Sequence, residues 1–139
     1  MKTAPMQKAM LALTVLFALG VVGYLVLQGV QTSPAASALS NVTVADLYTA
    51  SQAGARVIDV REPFEYTEGH VAGSELVPLA TIHARVNDFP KDEPIYVFCR
   101  SGNRSLQAAQ VLVDAGYTDV RNVEGGIIAW TNARLPVAR

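Results

Sequence analysis

The one cysteine of the chain, Cys99, stands where a strand-like run, Ile95-Tyr96-Val97-Phe98, gives way to the loop Cys-Arg-Ser-Gly-Asn-Arg-Ser. A thiol between a buried strand and a helix N-terminus, with two arginines beside it, is suited to act as a nucleophile on an anion. In open α/β sheets ligands bind beyond the carboxyl ends of the strands. Residues Arg100, Ser101, Gly102, Asn103, Arg104 and Ser105 can curl so that backbone N–H groups converge, with Gly102 and Asn103 supplying left-handed backbone angles. The helix that follows adds unpaired donors and partial positive charge, which makes an anion cradle and favours thiolate over thiol. Arg100 and Arg104 carry forked donors that match an oxyanion. A free cysteine is often only a small buried hydrophobe; the loop after Cys99 favours the reactive reading. The cysteine and two separated histidines, His70 and His83, have no metal-ligand spacing, so no metal is expected.

The elements that must position this loop follow from patterning. Thr43 to Asp46 resembles a capping box opening a helix to Gln52. Arg56–Val60 reads as a buried strand, 63–68 as a short helix behind Pro63, and Glu75–Pro78 as a weaker strand. Thr81–Val86 reads as one or two helical turns. The helix from Arg104 to Ala115 has apolar residues at 106, 109, 112 and 113 and is closed by Gly116. Val120–Val123 is a last strand, and Gly125-Gly126 precedes a helical turn holding Trp130. Strands alternating with helices predict an α/β fold with a parallel sheet covered on both faces.

Residues 9–30 are apolar apart from Thr14, Tyr24 and Gln28, and as a helix these 22 residues would span roughly 33 Å, matching a bilayer core. Lys2 and Lys8 precede them, and no Lys or Arg follows until Arg56, which predicts a cytoplasmic N-terminus (1–8), a transmembrane anchor (9–30), a linker (31–40) and an exported domain (41–136). The alternative is a signal peptide cleaved at Ala36-Ser37-Ala38, leaving a secreted or periplasmic domain. From Leu39 onward 9 basic and 12 acidic side chains give about −3, which is no nucleic-acid footprint. With one cysteine, the domain can form no internal disulfide and must rest on packing.

Several separated motifs together resemble the rhodanese family: Asp59-Val60-Arg61-Glu62-Pro63, Glu65-Tyr66, Gly69-His70-Val71-Ala72-Gly73, Pro78-Leu79, Cys99 to Ser105, Gly125-Gly126-Ile127 and Ala129-Trp130. The resemblance covers roughly residues 40–135. It implies a five-stranded parallel rhodanese fold and a Cys99 that takes up a sulfane sulfur as a persulfide, with no metal or organic cofactor. The donor would be thiosulfate or another persulfide, and the acceptor cyanide, a thiol or a protein. The loop from Cys99 to Arg104 would cradle the persulfide, with Arg100 and Arg104 near the incoming anion. Asp59 and Arg61 are expected to brace the sheet end, Glu65 and Tyr66 to pack and cap, His70 to be structural and Trp130 to be core.

Two other functions compete. Cysteine phosphatases, some on this same fold, place five residues between cysteine and arginine; here Arg104 follows four, and Ser105 takes the arginine position, which disfavours phosphatase or arsenate-reductase chemistry. A membrane-tethered sulfur carrier with little turnover of free thiosulfate would use the same cysteine with a different partner.

Overall fold

The computed structural model describes residues 37–139. The expected cytoplasmic segment 1–8, the apolar segment 9–30 and residues 31–36 of the linker lie outside the described residues. Among the described residues no helix is long and apolar enough to cross a membrane.

The elements run β1 (Leu39–Val42), α1 (Val44–Gln52), β2 (Arg56–Asp59), α2 (Pro63–Glu68), β3 (Glu75–Leu76), a 3-10 turn (Leu79–Thr81), α3 (Ile82–Arg85), β4 (Ile95–Phe98), α4 (Asn103–Asp114), β5 (Val120–Val123) and α5 (Gly126–Asn132). All strand pairs are parallel, in the order β1-β5-β4-β2-β3. The alternating α/β reading therefore holds. β1 is a correction, because the linker was expected to run to residue 40. Leu39-Ser40-Asn41-Val42 is short and half exposed, with no apolar run to announce a strand, and it forms by pairing with β5. The other end differs too. The domain was expected to close at 136, yet Ala138 forms an antiparallel bridge with His70.

β4 lies in the middle of the sheet, and all four of its residues are buried. Side chains alternate across a strand. Ile95 and Val97 join the layer with Ala108, Ala109 and Leu112 of α4; Tyr96 and Phe98 join the layer with Leu47 and Trp130. Trp130 is core, as expected, edge-on to Tyr48 and Phe98, and its indole N–H donates to the Pro136 carbonyl at 3.0 Å. The inner face of α4 is Ser105, Ala108, Ala109 and Leu112; of the expected 106, 109, 112 and 113, Ala109 and Leu112 are core, Val113 packs against it, and Leu106 is 44% exposed. The helix is turned so that a polar residue, Ser105, faces inward below Cys99, while Leu106 lies at the surface near the loop.

The capping box at α1 is present: the Asp46 amide donates to Thr43 Oγ1 at 3.2 Å and the Thr43 amide to Asp46 Oδ2 at 2.9 Å. Thr43→Ala is expected to lower the unfolding free energy by about 1 kcal/mol, read from the denaturant midpoint. A change below a few tenths would show that the cap is idle.

Candidate active site

β4 ends at Phe98, so Cys99 emerges from the centre of the sheet at its carboxyl edge. The residue is fully buried. The chain then turns through Gly102, whose φ of 99° is left-handed, and enters α4 at Asn103. Asn103 itself has helical geometry, so only Gly102 supplies the left-handed angle expected of the pair. The turn brings the Gly102 amide to 3.1 Å from Sγ, to which it donates. The Ser105 hydroxyl oxygen, one turn into α4, lies 3.3 Å from the same sulfur. Burial pushes the Cys99 thiol up. Hydrogen bonds from the Ser105 hydroxyl and from the backbone amides of Ser105, Ser101 and Gly102 outweigh that, and the thiol sits below its ordinary value. The donors around Sγ thus favour the thiolate more than burial disfavours it.

The loop is held from below by α5. The Ile127 amide donates to the Cys99 carbonyl at 2.9 Å and the Ile128 amide to the Arg100 carbonyl at 3.2 Å. Unpaired donors at a helix N-terminus commonly meet an anion. In α5 two of them are spent on the backbone of the loop instead, which fixes the loop's height over the sheet. This explains Gly126, where backbone passes over backbone; at Gly125 a Cβ would instead stand 2.5 Å from the Ala129 Cβ.

The two arginines part company. Arg100 is exposed, and among the described residues its guanidinium makes no ion pair. Arg104 is clasped by Glu65 of α2: Nη1 donates to Oε2 at 2.7 Å and Nη2 to Oε1 at 2.8 Å. A free anion-facing arginine was expected at 104; the structure gives it a carboxylate partner. Glu65, expected to pack and cap, does cap α2 by accepting the Glu62 amide at 3.0 Å, and it also holds Arg104. A bidentate pair of this kind is specific in geometry as well as charge.

Asp59 and Arg61 brace the same edge. Both are buried, and Arg61 Nε donates to Asp59 Oδ1 at 2.9 Å and Nη2 to Oδ2 at 2.6 Å. The remaining guanidinium donors reach the carbonyls of Glu65 (3.2 Å) and Gly69 (2.9 Å). Arg61 thereby ties α2 to the end of β2, and α2 presents Glu65 to Arg104. His70 stacks on Tyr66 at 3.8 Å between ring centroids, and its Nδ1 lies 3.0 Å from the Tyr66 carbonyl, a structural placement.

Asn122 of β5 was not singled out in the sequence. Its Oδ1 lies 2.6 Å from the Ser105 hydroxyl, and its Nδ2 donates to Asn41 Oδ1 at 3.0 Å. A polar residue between the half-buried Arg121 and the buried Val123 of a four-residue strand was the available signal.

The Glu65–Arg104 pair carries a pH dependence. The Arg104 guanidinium, against the opposing cost of burial, holds the Glu65 carboxyl down at about 2, below its usual 4.5. A carboxyl depressed in the folded state adds stability above the unfolded value and loses it as pH falls through the folded one. The contribution is therefore complete above about pH 5 and fades between about 4.5 and 2. Glu65→Gln is expected to flatten that stretch of a stability–pH curve. Parallel curves for the two proteins would refute the assignment.

A family model for the rhodanese-like domain matches residues 43–133. The chain belongs to the rhodanese-like family. A sulfurtransferase of Allochromatium vinosum is 40% identical over 81 residues, covering 58% of this chain and 76% of that protein. Thiosulfate sulfurtransferase 18 of Arabidopsis thaliana is 35% identical over 125 residues, covering 79% of this chain and 91% of the relative. Among solved structures, a rhodanese-related protein from Thermoplasma volcanium superposes with a TM-score of 0.65 at 37% identity, covering 70% of this chain and 96% of that one. These rhodanese relatives support sulfur transfer as the general chemistry of the domain, and hence a sulfur donor and a sulfur acceptor.

Proposed function

We propose that this rhodanese domain moves a sulfane sulfur from thiosulfate to a thiophilic acceptor through a persulfide on Cys99. The observation that carries the reading is the convergence of the Gly102 amide and the Ser105 hydroxyl on Sγ at the central strand's end. The Cys99 thiolate attacks the outer sulfur of thiosulfate. The bond between that sulfur and the sulfonate sulfur breaks, and sulfite leaves with the electron pair. The new terminal sulfur is anionic and lies about 2 Å beyond Sγ, nearer the mouth of the loop. Exposed Arg100 is the cation available to draw thiosulfate in and to steady the departing sulfite. A cyanide or thiol then attacks the terminal sulfur and the Cys99 thiolate is released, a ping-pong course.

A sulfur-carrier reading is favoured by one feature, the Glu65–Arg104 clasp. It leaves a single arginine to recruit a small dianion, so on this reading a protein persulfide or thiol serves where free thiosulfate turns over slowly. Phosphatase or arsenate-reductase chemistry has less support, since the arginine after four residues is already neutralised by a carboxylate. The test combines a thiosulfate:cyanide assay with intact mass. Thiocyanate formed together with a gain of about 32 Da, one sulfur atom, supports the enzyme. The mass gain with little thiocyanate supports the carrier. Phosphoester hydrolysis without either would overturn both.

We further propose that residues 9–30 anchor the domain on the far side of the cytoplasmic membrane. Their length, their lack of charge and the preceding Lys2 and Lys8 support this. The Ala38 carbonyl accepts the Val120 amide at 2.7 Å, so cleavage after Ala38 would remove a hydrogen bond at the start of β1. Full-length mass in the membrane fraction is the expected result; a soluble chain beginning at Leu39 would reverse it.

A further inference from the structure

Ser105 and Asn122 are both buried, and the space between them holds a chain of hydrogen-bonding groups that runs from the sulfur to the surface. It passes from Cys99 Sγ to the Ser105 hydroxyl, to the Asn122 carboxamide, to the exposed carboxamide of Asn41. The register of the sheet sets it, since Asn41 and Asn122 are direct partners across β1 and β5. A hydroxyl has one proton to donate. Asn122 Oδ1 at 2.6 Å and Sγ at 3.3 Å compete for that proton, and the shorter contact favours the amide. With the proton there, Sγ keeps the Gly102 amide as its donor; with the hydroxyl turned toward it, Sγ gains the second donor that favours S⁻. A carboxamide carries a donor and an acceptor at the same distance from its carbon, so rotation of Asn122 by half a turn would offer N–H to the hydroxyl. Asn41, exposed, can turn with it.

We propose that Asn122 is a positioning residue for the sulfur: its carboxamide, backed by Asn41, sets the direction of the Ser105 hydroxyl, toward Asn122 while Cys99 is a thiol and toward Sγ once the sulfur is an anion. The proposal rests on Cys99 as the sulfur-bearing nucleophile. Reversal leaves every group of the chain with a partner, so charging the sulfur strands no buried polar atom. Other charged groups on the elements around the thiol are Arg100 on its own loop, Arg104 on α4, Glu62 and Glu65 on α2, the Asp59–Arg61 pair after β2, and Glu124 after β5. The described partners of the Ser105 hydroxyl are Sγ and Asn122.

The test is the pH profile of Cys99 alkylation by iodoacetamide, which needs no sulfur transfer. Asn122→Asp replaces the reversible amide with a group that only accepts once ionised, and should raise the alkylation midpoint by about one unit or more. Asn41→Asp, an exposed change, pins the Asn122 N–H outward and should raise it by about half a unit. Both shifts should shrink by half or more in a Ser105→Ala background, where a simple through-space charge effect would persist. If the buried carboxylate of Asn122→Asp unfolds the domain, Asn41→Asp decides alone. Unchanged profiles, or shifts that survive undiminished without the Ser105 hydroxyl, overturn the proposal. Thiosulfate loading measured by mass on the wild-type protein tests the sulfur-transfer reading separately: a missing 32 Da gain counts against that reading and leaves the alkylation profiles to judge the relay.

Discussion

Cys99→Ser is expected to reduce sulfur uptake and thiocyanate formation below detection, a loss of at least about a thousandfold. A serine hydroxyl needs a base to become a nucleophile. The neighbours of Sγ are donors, the Gly102 amide and the Ser105 hydroxyl, and they stabilise an anion without generating one from an alcohol. Serine differs from cysteine by one atom in a fully buried site, so the fold should persist, and an unchanged thermal midpoint would separate lost chemistry from lost structure. The measurement is intact mass after thiosulfate exposure, beside the thiocyanate assay. Sulfur taken up by the serine variant would sink the persulfide mechanism, because no second cysteine exists to carry it.

Gly126→Ala is expected to cost about 2–4 kcal/mol of stability and to slow Cys99 alkylation in whatever fraction remains folded. A Cβ at this position would stand 2.2 Å from the Cys99 carbonyl oxygen and 2.6 Å from the Arg100 carbonyl carbon. Those are backbone atoms, so no side chain can swing aside. The residue also has φ 49°, a left-handed angle that disfavours a Cβ. To make room, the loop must lift off α5, which breaks the hydrogen bonds from Ile127 and Ile128 and moves the Gly102 amide relative to Sγ. Denaturant unfolding reads the first effect and the alkylation rate the second. Gly54→Ala is the contrast: it also has positive φ, at 82°, but a Cβ there meets nothing within 4 Å. It should lower stability by about 1 kcal/mol and leave alkylation unchanged. Equal effects of the two variants on alkylation would show that loop height does not matter.

Much of the fold was legible because its elements are locally consistent. Ile95–Phe98 is an unbroken apolar run, as a central parallel strand should be, and Gly116 and Pro63 punctuate helices where expected. β1 was not legible, because a short edge strand with polar residues is stabilised by its partner β5 more than by its own propensity. On α4 only Leu106 was misplaced; positions 109, 112 and 113 do pack on the core. Apolar periodicity put Leu106 inside, but the sulfur needs a donor beneath it, and Ser105 takes that place.

Within the site, residue types and spacing were enough to single out Cys99 and the left-handed Gly102, while the supporting pair Asp59 and Arg61 came from the family resemblance. The loop count also separated this loop from a phosphatase loop. Order along the chain carries that information because the strand–loop–helix unit is local: seven consecutive residues fix which amides can reach one sulfur. What tertiary structure alone decided are the partners that come from distant elements. Glu65 meets Arg104 across 39 positions, Asn122 meets Ser105 across 17, and Asn41 meets Asn122 across 81. Charge and hydrogen-bonding capacity are written in each residue, but which of them neutralise one another depends on sheet order and register. The pairing of β1 with β5 therefore set the hydrogen-bond chain behind the thiol, and the reach of Glu65 from α2 to Arg104 on α4 set which arginine carries a carboxylate partner.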